Sequence, residues 1–289
     1  MIDDKQRRPS GAPSGQFCLG GREYRLGPAA ERGAVTAWPA AEEGGGVWDD
    51  VLIRRLRPGA GERQVRLFRL AWEAEAEQLD LPGARSLFFE QPESGCILRS
   101  FPKAPSLAAL FEQRPGPLPA EEALELTARL LRALEGFHSR GLLHLDIRAE
   151  QIYLLPGRRL FLDNCRALDM ERPEEDGLPR ALGPCAAPEL RLMNLAALDR
   201  ASDIFSCCAL LYRMLLGRPL TDAELMGTGL ARGLRQSLAR AQELPDARAD
   251  ELARLLWRGL HLLPQRRFSS ARELLGLVSG LRGGIEADA

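Results

Sequence analysis

The spacing of apolar residues changes partway along this chain. Residues 17–101 hold short apolar runs broken by glycine and proline, a pattern typical of β-strands. Three of these runs predict strands at Val47–Leu56, Leu87–Glu90 and Cys96–Ser100. Leu67–Leu79, between the first two, is rich in alanine, glutamate and glutamine, which favours a helix. We therefore expect a small strand-rich region with one helix.

The second part of the chain has helical periodicity. A run from Pro119 onward repeats apolar residues at intervals of three and four, so that they share one face of a helix. Residues Ser202–Leu216 are apolar nearly all round and end at Gly217, as in a helix buried at the centre of a domain. Near the end, Ser270 and Glu273 form a capping box that starts a last helix. The whole pattern predicts an α+β fold.

Composition and charge narrow the class of protein. The chain has 289 residues, 45% apolar and 27% charged, with a net charge of −1, which is ordinary for a globular protein with a sizeable core. This charge gives no reason to expect binding to nucleic acid or to a membrane surface. No apolar run is long enough to span a membrane, and the start does not resemble a signal peptide. We therefore expect a cytoplasmic protein, with residues 1–16 as a disordered tail.

Residues 144–151 carry the clearest motif. They read His-Leu-Asp-Ile-Arg-Ala-Glu-Gln and precede an apolar run. This stretch resembles the catalytic loop of protein kinases, H-R-D-L-x-x-x-N followed by a strand. The resemblance implies that Asp146 is the base for a hydroxyl substrate and that Arg148 supports it. Leu145 and Gln151 stand where the family has an arginine and the metal-binding asparagine.

Three further segments resemble the same family, in the family's order. Ala187-Pro188-Glu189 is similar to the A-P-E motif. Ser202-Asp203 is similar to the start of the central helix, whose aspartate holds the backbone of the catalytic loop. Pro264–Phe268 resembles the late segment whose arginine pairs with the A-P-E glutamate. The structural residues that the resemblance implies are His144, Glu189, Asp203 and Arg267.

From about Tyr24 to Leu281 the chain thus resembles the eukaryotic-type (Ser/Thr) protein kinase family, as a divergent member similar to a pseudokinase. The resemblance implies a bilobal α+β fold in one kinase domain of about residues 17–283. A β-rich N-lobe with one helix is expected over residues 17–101, and a larger, mainly helical C-lobe over 102–289. The cofactor implied is ATP with Mg²⁺ or Mn²⁺, if nucleotide binding survives.

The lysine that the family uses to hold ATP phosphates is replaced. Val51-Leu52-Ile53-Arg54 aligns with the V-A-I-K motif, so Arg54 takes the place of the lysine. Arginine keeps the charge but is a wide planar fork rather than a compact ammonium, and the two are not interchangeable. Its expected partner on the helix is Glu73, with Glu75 and Glu77 as alternatives.

The loop that would cradle phosphates is also altered. Gly27 to Val35 keeps two glycines of the family's G-x-G-x-x-G-x-V pattern, Gly27 and Gly33, with one extra residue between them. Pro28 removes a backbone donor. The resemblance assigns Gly27, Gly33 and Val35 to a degenerate nucleotide site, whereas such residues alone form a plain strand–turn–strand more often than a phosphate-binding loop.

The predicted connection between the lobes changes the adenine site. Alignment with the family puts Arg99 at the gatekeeper position, beside Ser100. Pro102 then falls where a backbone N–H normally donates to the adenine ring, and proline has no N–H. A shift of one residue in the alignment would restore that donor. We therefore expect weak adenine binding, with Arg99, Ser100 and Pro102 as the altered contacts.

The metal site departs from the family as well. Asp163-Asn164-Cys165 replaces the D-F-G motif. Asp163 keeps a carboxylate for a cation, but the Gln151 amide lies one methylene farther out than that of asparagine, and Mg²⁺ tolerates misplaced ligands poorly. An alternative is that Asp163 and the candidate base only cap the retained scaffold. His138 and His261 are expected to be packing or surface residues.

Three functions remain open on these residues. The first is a pseudokinase with weak or no Mg·ATP binding, which acts on a protein partner as a regulator or scaffold. The second is a low-activity or atypical ATP-dependent Ser/Thr kinase that uses Asp146 and Asp163. The third is a module whose cleft holds another anionic ligand between Arg54 and Arg99. The first is favoured because scaffold positions match the family while the chemistry positions differ together.

Overall fold

The structure, a computed structural model, describes residues 16–19, 21–32, 35–43, 51–80, 84–91, 94–100, 104–164, 168–169, 182–226 and 229–287. The tail predicted at residues 1–16 lies outside these ranges, apart from Gln16. Within them the chain forms a sheet region followed by a mainly helical region.

The N-terminal region is one antiparallel sheet. Its strands are β1 (Gln16–Leu19), β2 (Arg22–Leu26), β3 (Ala30–Arg32), β4 (Val35–Glu42), β5 (Val51–Leu56), β6 (Arg85–Gln91) and β7 (Ser94–Ser100). Their spatial order is β1-β2-β4-β5-β7-β6, with β3 paired to β4. The predicted strands are confirmed where they are described, as β5, β6 and β7. Because β5 and β7 have a neighbour on both sides, side chains on them have rigid backbone support.

A helix, α1 (Glu62–Gln78), packs against this sheet. It begins five residues before the predicted start at Leu67, since its first turn is polar and shows no apolar period. Its buried face includes Phe68, Ala71 and Glu75, which are spaced at helical intervals. Phe68 packs with Leu56 and Ile97 of the sheet. This packing sets the rotation of α1 and therefore which of its glutamates points inward.

The rest of the chain is mainly helical. The helices are α2 (Leu107–Gln113), α3 (Ala120–His138), α4 (Pro188–Arg191), α5 (Arg200–Leu216), α6 (Asp222–Met226), α7 (Gly229–Gln242), α8 (Asp246–Gly259) and α9 (Ala271–Ala287). Short strands lie among them: β8 (Leu142–Leu143), β9 (Ile152–Leu155), β10 (Arg159–Leu162) and β11 (Leu168–Asp169). β9 pairs with β10, and β8 with β11. The helices predicted from Pro119, at Ser202–Leu216 and after Ser270 are confirmed as α3, α5 and α9.

Helix α5 runs through the middle of the helical core, as its apolar pattern predicted. It contacts α3, α7 and α8. At its start the Asp199 carboxylate accepts a hydrogen bond from the Ala201 N–H at 2.7 Å. It ends at Gly217, which has a φ of 70°. A side chain at Gly217 would meet the backbone of Gly116 and Pro117 at 2.5–2.6 Å, so glycine is required there.

The molecule therefore has the bilobal α+β fold that the resemblance implied. The lobes meet where α1 contacts α3 and β10. We call the boundary between the inner strands of the sheet, β5 and β7, and the segments around residues 144–151 and 163–164 the cleft. Among the described residues, no helix is both long and apolar enough to cross a membrane.

Candidate functional site

The loop at residues 144–151 is held by Asp203, at the start of α5. The Asp203 carboxylate accepts hydrogen bonds from the backbone N–H groups of His144 and Leu145, at 2.8 and 2.7 Å. Burial favours a raised pKa for Asp203, but a hydrogen bond with His138 and the charges around it outweigh burial and lower the pKa. The implied structural role of Asp203 is thus present in the geometry.

Leu145 has a left-handed backbone, with a φ of 56°. Such a conformation costs a non-glycine residue of the order of 1–3 kcal/mol, and the hydrogen bond that the Leu145 N–H donates to Asp203 helps to hold it. The Leu145 side chain is buried with Leu143, Ala186, Leu190 and Leu198. The residue that replaces the family's arginine therefore joins the loop to α4 by apolar packing instead of by charge.

His144 lies at the centre of the loop and is fully buried. Its Nε2 is 3.0 Å from the carbonyl oxygen of Asp163, and its Nδ1 is 3.3 Å from the backbone nitrogen of Asp146. Since a carbonyl accepts and an N–H donates, Nε2 carries the proton and Nδ1 accepts. Burial lowers the pKa of His144, against the opposing charges of Asp203 and Asp146, which agrees with a neutral ring.

His138 has a more specific place than its prediction as a packing or surface residue. It is buried in the last turn of α3, and its Nε2 lies 3.0 Å from an Asp203 oxygen. It thus stands behind the aspartate that holds the loop. The signal available in the sequence was weak, because a histidine near the end of a helix is common at surfaces as well.

The implied ion pair between Glu189 and Arg267 is confirmed. The two Nη atoms of Arg267 donate to the two carboxylate oxygens of Glu189 at 2.7 and 2.9 Å, and both side chains are buried. The Ser202 hydroxyl donates to the same carboxylate at 2.7 Å, and Arg267 also donates to the Ala201 carbonyl. The guanidinium lies over the ring of Phe205. This network ties α4 to α5 and to the segment before α9.

Arg54 pairs with Glu75, so the expectation of Glu73 is wrong. Arg54 Nη1 donates to one Glu75 oxygen at 3.1 Å and Nη2 donates to the other. The carboxylate of Glu73 is instead 3.9 Å from Nε of Arg140, and Arg140 also pairs with Glu77. Glu75 faces inward because it continues the buried face of α1. The sequence alone does not reveal that rotation, so it left Glu75 only as an alternative.

Arg99 reaches across the cleft from β7 to Asp163. Its Nη2 donates to one carboxylate oxygen at 2.8 Å, and its Nη1 donates to the other. Nη1 is also 3.9 Å from a Glu75 oxygen, and the guanidinium carbon is 4.8 Å from the ring centroid of Phe161. Burial would raise the pKa of Asp163, but the charge and hydrogen bonds of Arg99 overcome it and hold this pKa well below its usual range.

Arg54, Glu75, Arg99 and Asp163 form one cluster, which we call the cleft ion cluster. All of its members are at most 6% exposed, and their formal charges sum to zero. The third candidate function, a module that binds another anionic ligand, requires Arg54 and Arg99 to be available to that ligand. Because both guanidinium groups face carboxylates, the arrangement disfavours that interpretation.

The described residues do not fit a divalent cation at Asp163 in this arrangement. Both carboxylate oxygens accept from Arg99, and one also accepts from the Asn164 backbone N–H at 2.6 Å. Gln151 is buried next to Asp163, and the two residues are joined by a 2.8 Å hydrogen bond from the Asp163 N–H to the Gln151 backbone carbonyl. Mg²⁺ requires oxygen ligands in a near-octahedral shell, and a guanidinium fork on the main ligand obstructs one.

Asp146, the candidate base, is also engaged. The Asn164 side-chain amide donates to one of its carboxylate oxygens, and Nε of Arg148 lies 3.1 Å from the other. Asn164 has a φ of 67°, a conformation that asparagine tolerates better than most residues. Asn164 was missed as a site residue. The signal in the sequence was a polar side chain at the position where the family's D-F-G motif has phenylalanine.

The remaining positions of the predicted nucleotide site are only partly described. The Gly27 N–H donates to the Pro39 carbonyl at 2.7 Å, and a side chain at Gly27 would meet Pro39 at 2.9 Å, so the glycine serves close contact between strands. Val35 packs in the cluster of apolar residues around Phe68. Ser100 is buried at the end of β7. Gly33, Pro102 and Cys165 lie outside the described residues.

Curated proteins similar to this chain are protein kinases. The serine/threonine-protein kinase pkn2 of Myxococcus xanthus is 27% identical over 222 residues, covering 69% of this chain and 25% of the relative. A Wee1-like protein kinase of Oryza sativa subsp. japonica is 34% identical over 126 residues, covering 43% and 23%. The serine/threonine-protein kinase pkn3 of Myxococcus xanthus is 28% identical over 225 residues, covering 73% and 41%. The chain therefore spans less than half the length of each of these relatives. No family model matches the chain.

These similarities and the bilobal α+β fold support a divergent relationship to the protein kinases. The contacts of Asp203 with the loop and of Glu189 with Arg267 are those that the family resemblance implied from sequence. The resemblance assigns the chemistry to Asp163 and Asp146. In this chain Arg99 donates hydrogen bonds to the Asp163 carboxylate, and Asn164 donates one to the Asp146 carboxylate.

Proposed function

We propose that this protein is a pseudokinase with weak or no Mg·ATP binding, which acts through contact with a protein partner as a regulator or scaffold. The observation that supports this proposal most is the two-point pairing of Arg99 with Asp163. Phosphoryl transfer depends on positioning and on neutralisation of phosphate charge by metal ions. Asp163 is the residue that would hold such an ion, and here its carboxylate already serves an internal cation.

The energetic cost of freeing Asp163 supports the same proposal. Withdrawing one partner from a buried ion pair typically costs about 3–5 kcal/mol, because the other charge is left without compensation. A nucleotide–metal complex that had to displace Arg99 would lose roughly 10²–10⁴ in affinity for that reason alone. The contacts of Asn164 and Arg148 with Asp146 add a second restraint on the candidate base.

Partner binding is proposed because the scaffold is kept while the cleft is altered. Asp203, Glu189 and Arg267 make the contacts that hold a kinase lobe together. A retained fold without its chemistry can still act through its surface. The expectations of a cytoplasmic location and of no nucleic-acid partner rest, as before, on the near-neutral charge and the sequence.

The second candidate is a low-activity or atypical Ser/Thr kinase that uses Asp146 and Asp163 with Mg²⁺ or Mn²⁺. The observation in its favour is the Arg54–Glu75 pair, because this pair matches the lysine–glutamate pair that must be in place in an active kinase. This function requires Arg99 to leave Asp163 when the nucleotide and metal enter.

A thermal-shift titration with ATP separates the two candidates. We expect no rise in melting temperature at millimolar ATP, with or without Mg²⁺ or Mn²⁺, since a ligand that binds the native state must stabilise it. A metal-dependent rise, together with phosphate transfer from labelled ATP that Asp163→Ala abolishes, would establish the second candidate. Glu77→Ala, on an exposed side chain outside the cleft, is a suitable control.

A further inference from the structure

Arg99 joins parts of the molecule that are far apart in sequence. It lies on β7, between β5 and β6, and it pairs with Asp163 in the segment after β10. The same guanidinium is 3.9 Å from Glu75 of α1, which in turn pairs with Arg54 of β5. The cleft ion cluster therefore ties two strands, one helix and the Asp163 segment to one another.

Arg99 is well suited to act as a fixed cation. Its planar fork matches both oxygens of a carboxylate, and a guanidinium stays protonated throughout the accessible pH range. The proximity of Asp163 raises the pKa of Arg99 further, although burial acts in the opposite direction. The Phe161 ring beneath the guanidinium and the paired backbone of β7 hold it in place. A buried carboxylate such as Asp163 needs a compensating positive charge, and Arg99 supplies it.

We propose that Arg99 is a built-in cation that takes the place of a metal ion at Asp163, so that α1 and the Asp163 segment keep their arrangement without metal or nucleotide. This inference rests on the proposed function and extends it. The cleft is then held in one state by the chain itself instead of being organised by a ligand. Removal of Arg99 exposes Asp163 to a divalent cation from solution.

A mutant cycle without nucleotide tests this role. The proteins are the wild type, Arg99→Met, Asp163→Asn and the double variant, and melting temperatures are measured in metal-free buffer and in 10 mM MnCl₂ (about tenfold above a Kd of the order of 1 mM). The matched control is Arg114→Met. Arg114 also makes a two-point pair, with Glu122 at 2.7 and 2.9 Å, but its side chain is 47% exposed.

Arg99→Met should lower the melting temperature by roughly 5–15 °C, because it leaves Asp163 buried without its cation. Arg114→Met should lower it by no more than about 2 °C. The double variant should lose clearly less than the sum of its two single variants. Mn²⁺ should raise the melting temperature of Arg99→Met by about 2–4 °C and should leave the wild type, the double variant and Arg114→Met unchanged.

The inference is overturned if Arg99→Met loses no more stability than Arg114→Met, or if Mn²⁺ stabilises the wild type as much as Arg99→Met. If Arg99→Met does not fold, Arg99→Lys and Arg114→Lys replace the two methionine variants. Lysine keeps the positive charge at Arg99 but not the fork, so a larger loss than at Arg114 without a response to Mn²⁺ supports the inference. Equal losses in the two lysine variants overturn it.

These outcomes are separate from a failure of the proposed function. Phosphate transfer from ATP by the wild type would remove the pseudokinase proposal, whatever the mutant cycle shows. Absence of coupling between Arg99 and Asp163 in the cycle would remove the inference and leave the pseudokinase proposal standing, because the latter is tested with ATP and the cycle is measured without it.

Discussion

Two buried ion networks lie in different regions of this molecule. One joins Glu189 to Arg267 in the helical lobe, and the other is the cleft ion cluster between the lobes. Both are built from arginines that make two-point contacts with buried carboxylates. Both therefore face the same cost of removing charges from water, and both offset it with pairing and hydrogen bonds.

The two networks differ in what they connect. Arg267 also donates to the carbonyls of Ala201 and Leu262, so its pair with Glu189 belongs to a rigid set of backbone contacts. Arg99, in contrast, bridges Asp163 and the neighbourhood of Glu75, which lie on separate elements around a cleft. The first network holds a folded lobe together. The second sets the relative positions of parts that enclose a candidate site.

Breaking the helical network should have the largest effect. Arg267→Met leaves the Glu189 carboxylate buried without its cation, so the free energy of unfolding should fall by about 3–5 kcal/mol. Urea denaturation at neutral pH measures this loss. Arg272→Met is the control, because Arg272 is 80% exposed in its pair with Glu135 and should contribute less than about 1 kcal/mol. Similar losses in the two variants would contradict the structural role of Arg267.

Removing the charge of Glu75 from the cleft ion cluster should lower the free energy of unfolding less than Arg267→Met does. Glu75→Gln removes a charge next to Arg54 and Arg99, and we expect the free energy of unfolding to fall by about 2–4 kcal/mol. Glu73→Gln, on the same helix, is the matched control and should change it by less than about 0.5 kcal/mol. Chemical denaturation of both variants decides the point. The opposite order would mean that Glu73 is the partner of Arg54 after all.

Acid should lower the free energy of unfolding, because His144 is buried in the loop at residues 144–151. Burial keeps the pKa of His144 below the ordinary value for histidine, so the folded protein holds the ring neutral while the unfolded chain takes up a proton. The stability that this difference provides is complete above the unfolded pKa, and it is lost as the pH falls from there through the folded pKa.

We expect the contribution of this group to the free energy of unfolding to fall as the pH is lowered from about 7 through the usual histidine pKa of about 6.5. Denaturation curves measured across that range should show that the free energy of unfolding changes less with pH in His144→Gln than in the wild type. His261→Gln, at a partly exposed position, is the matched control. If both variants reduce the pH dependence of the free energy of unfolding equally, the effect does not come from the burial of His144.

Elements with strong periodicity or motif spacing could be predicted closely. The all-round apolar run at 202–216 gave the central helix because only a buried helix hides every face. The start of α1 was missed, since its first turn is polar and propensity alone sets a boundary poorly. His138 and Asn164 could not be assigned partners, because neither side chain has a sequence neighbour that reveals its contact.

The sequence by itself determined the two-lobed α+β fold, the resemblance to protein kinases, and the partners of residues that match family motifs, such as Glu189 with Arg267. These follow from local patterns and from residue types that recur at known spacings. Only the tertiary structure decided that Glu75 and not Glu73 faces Arg54, and that Arg99 pairs with Asp163, 64 residues away. The reason is geometric. Such pairs depend on the rotation of α1 against the sheet and on the distance across the cleft, and packing of the whole molecule sets both.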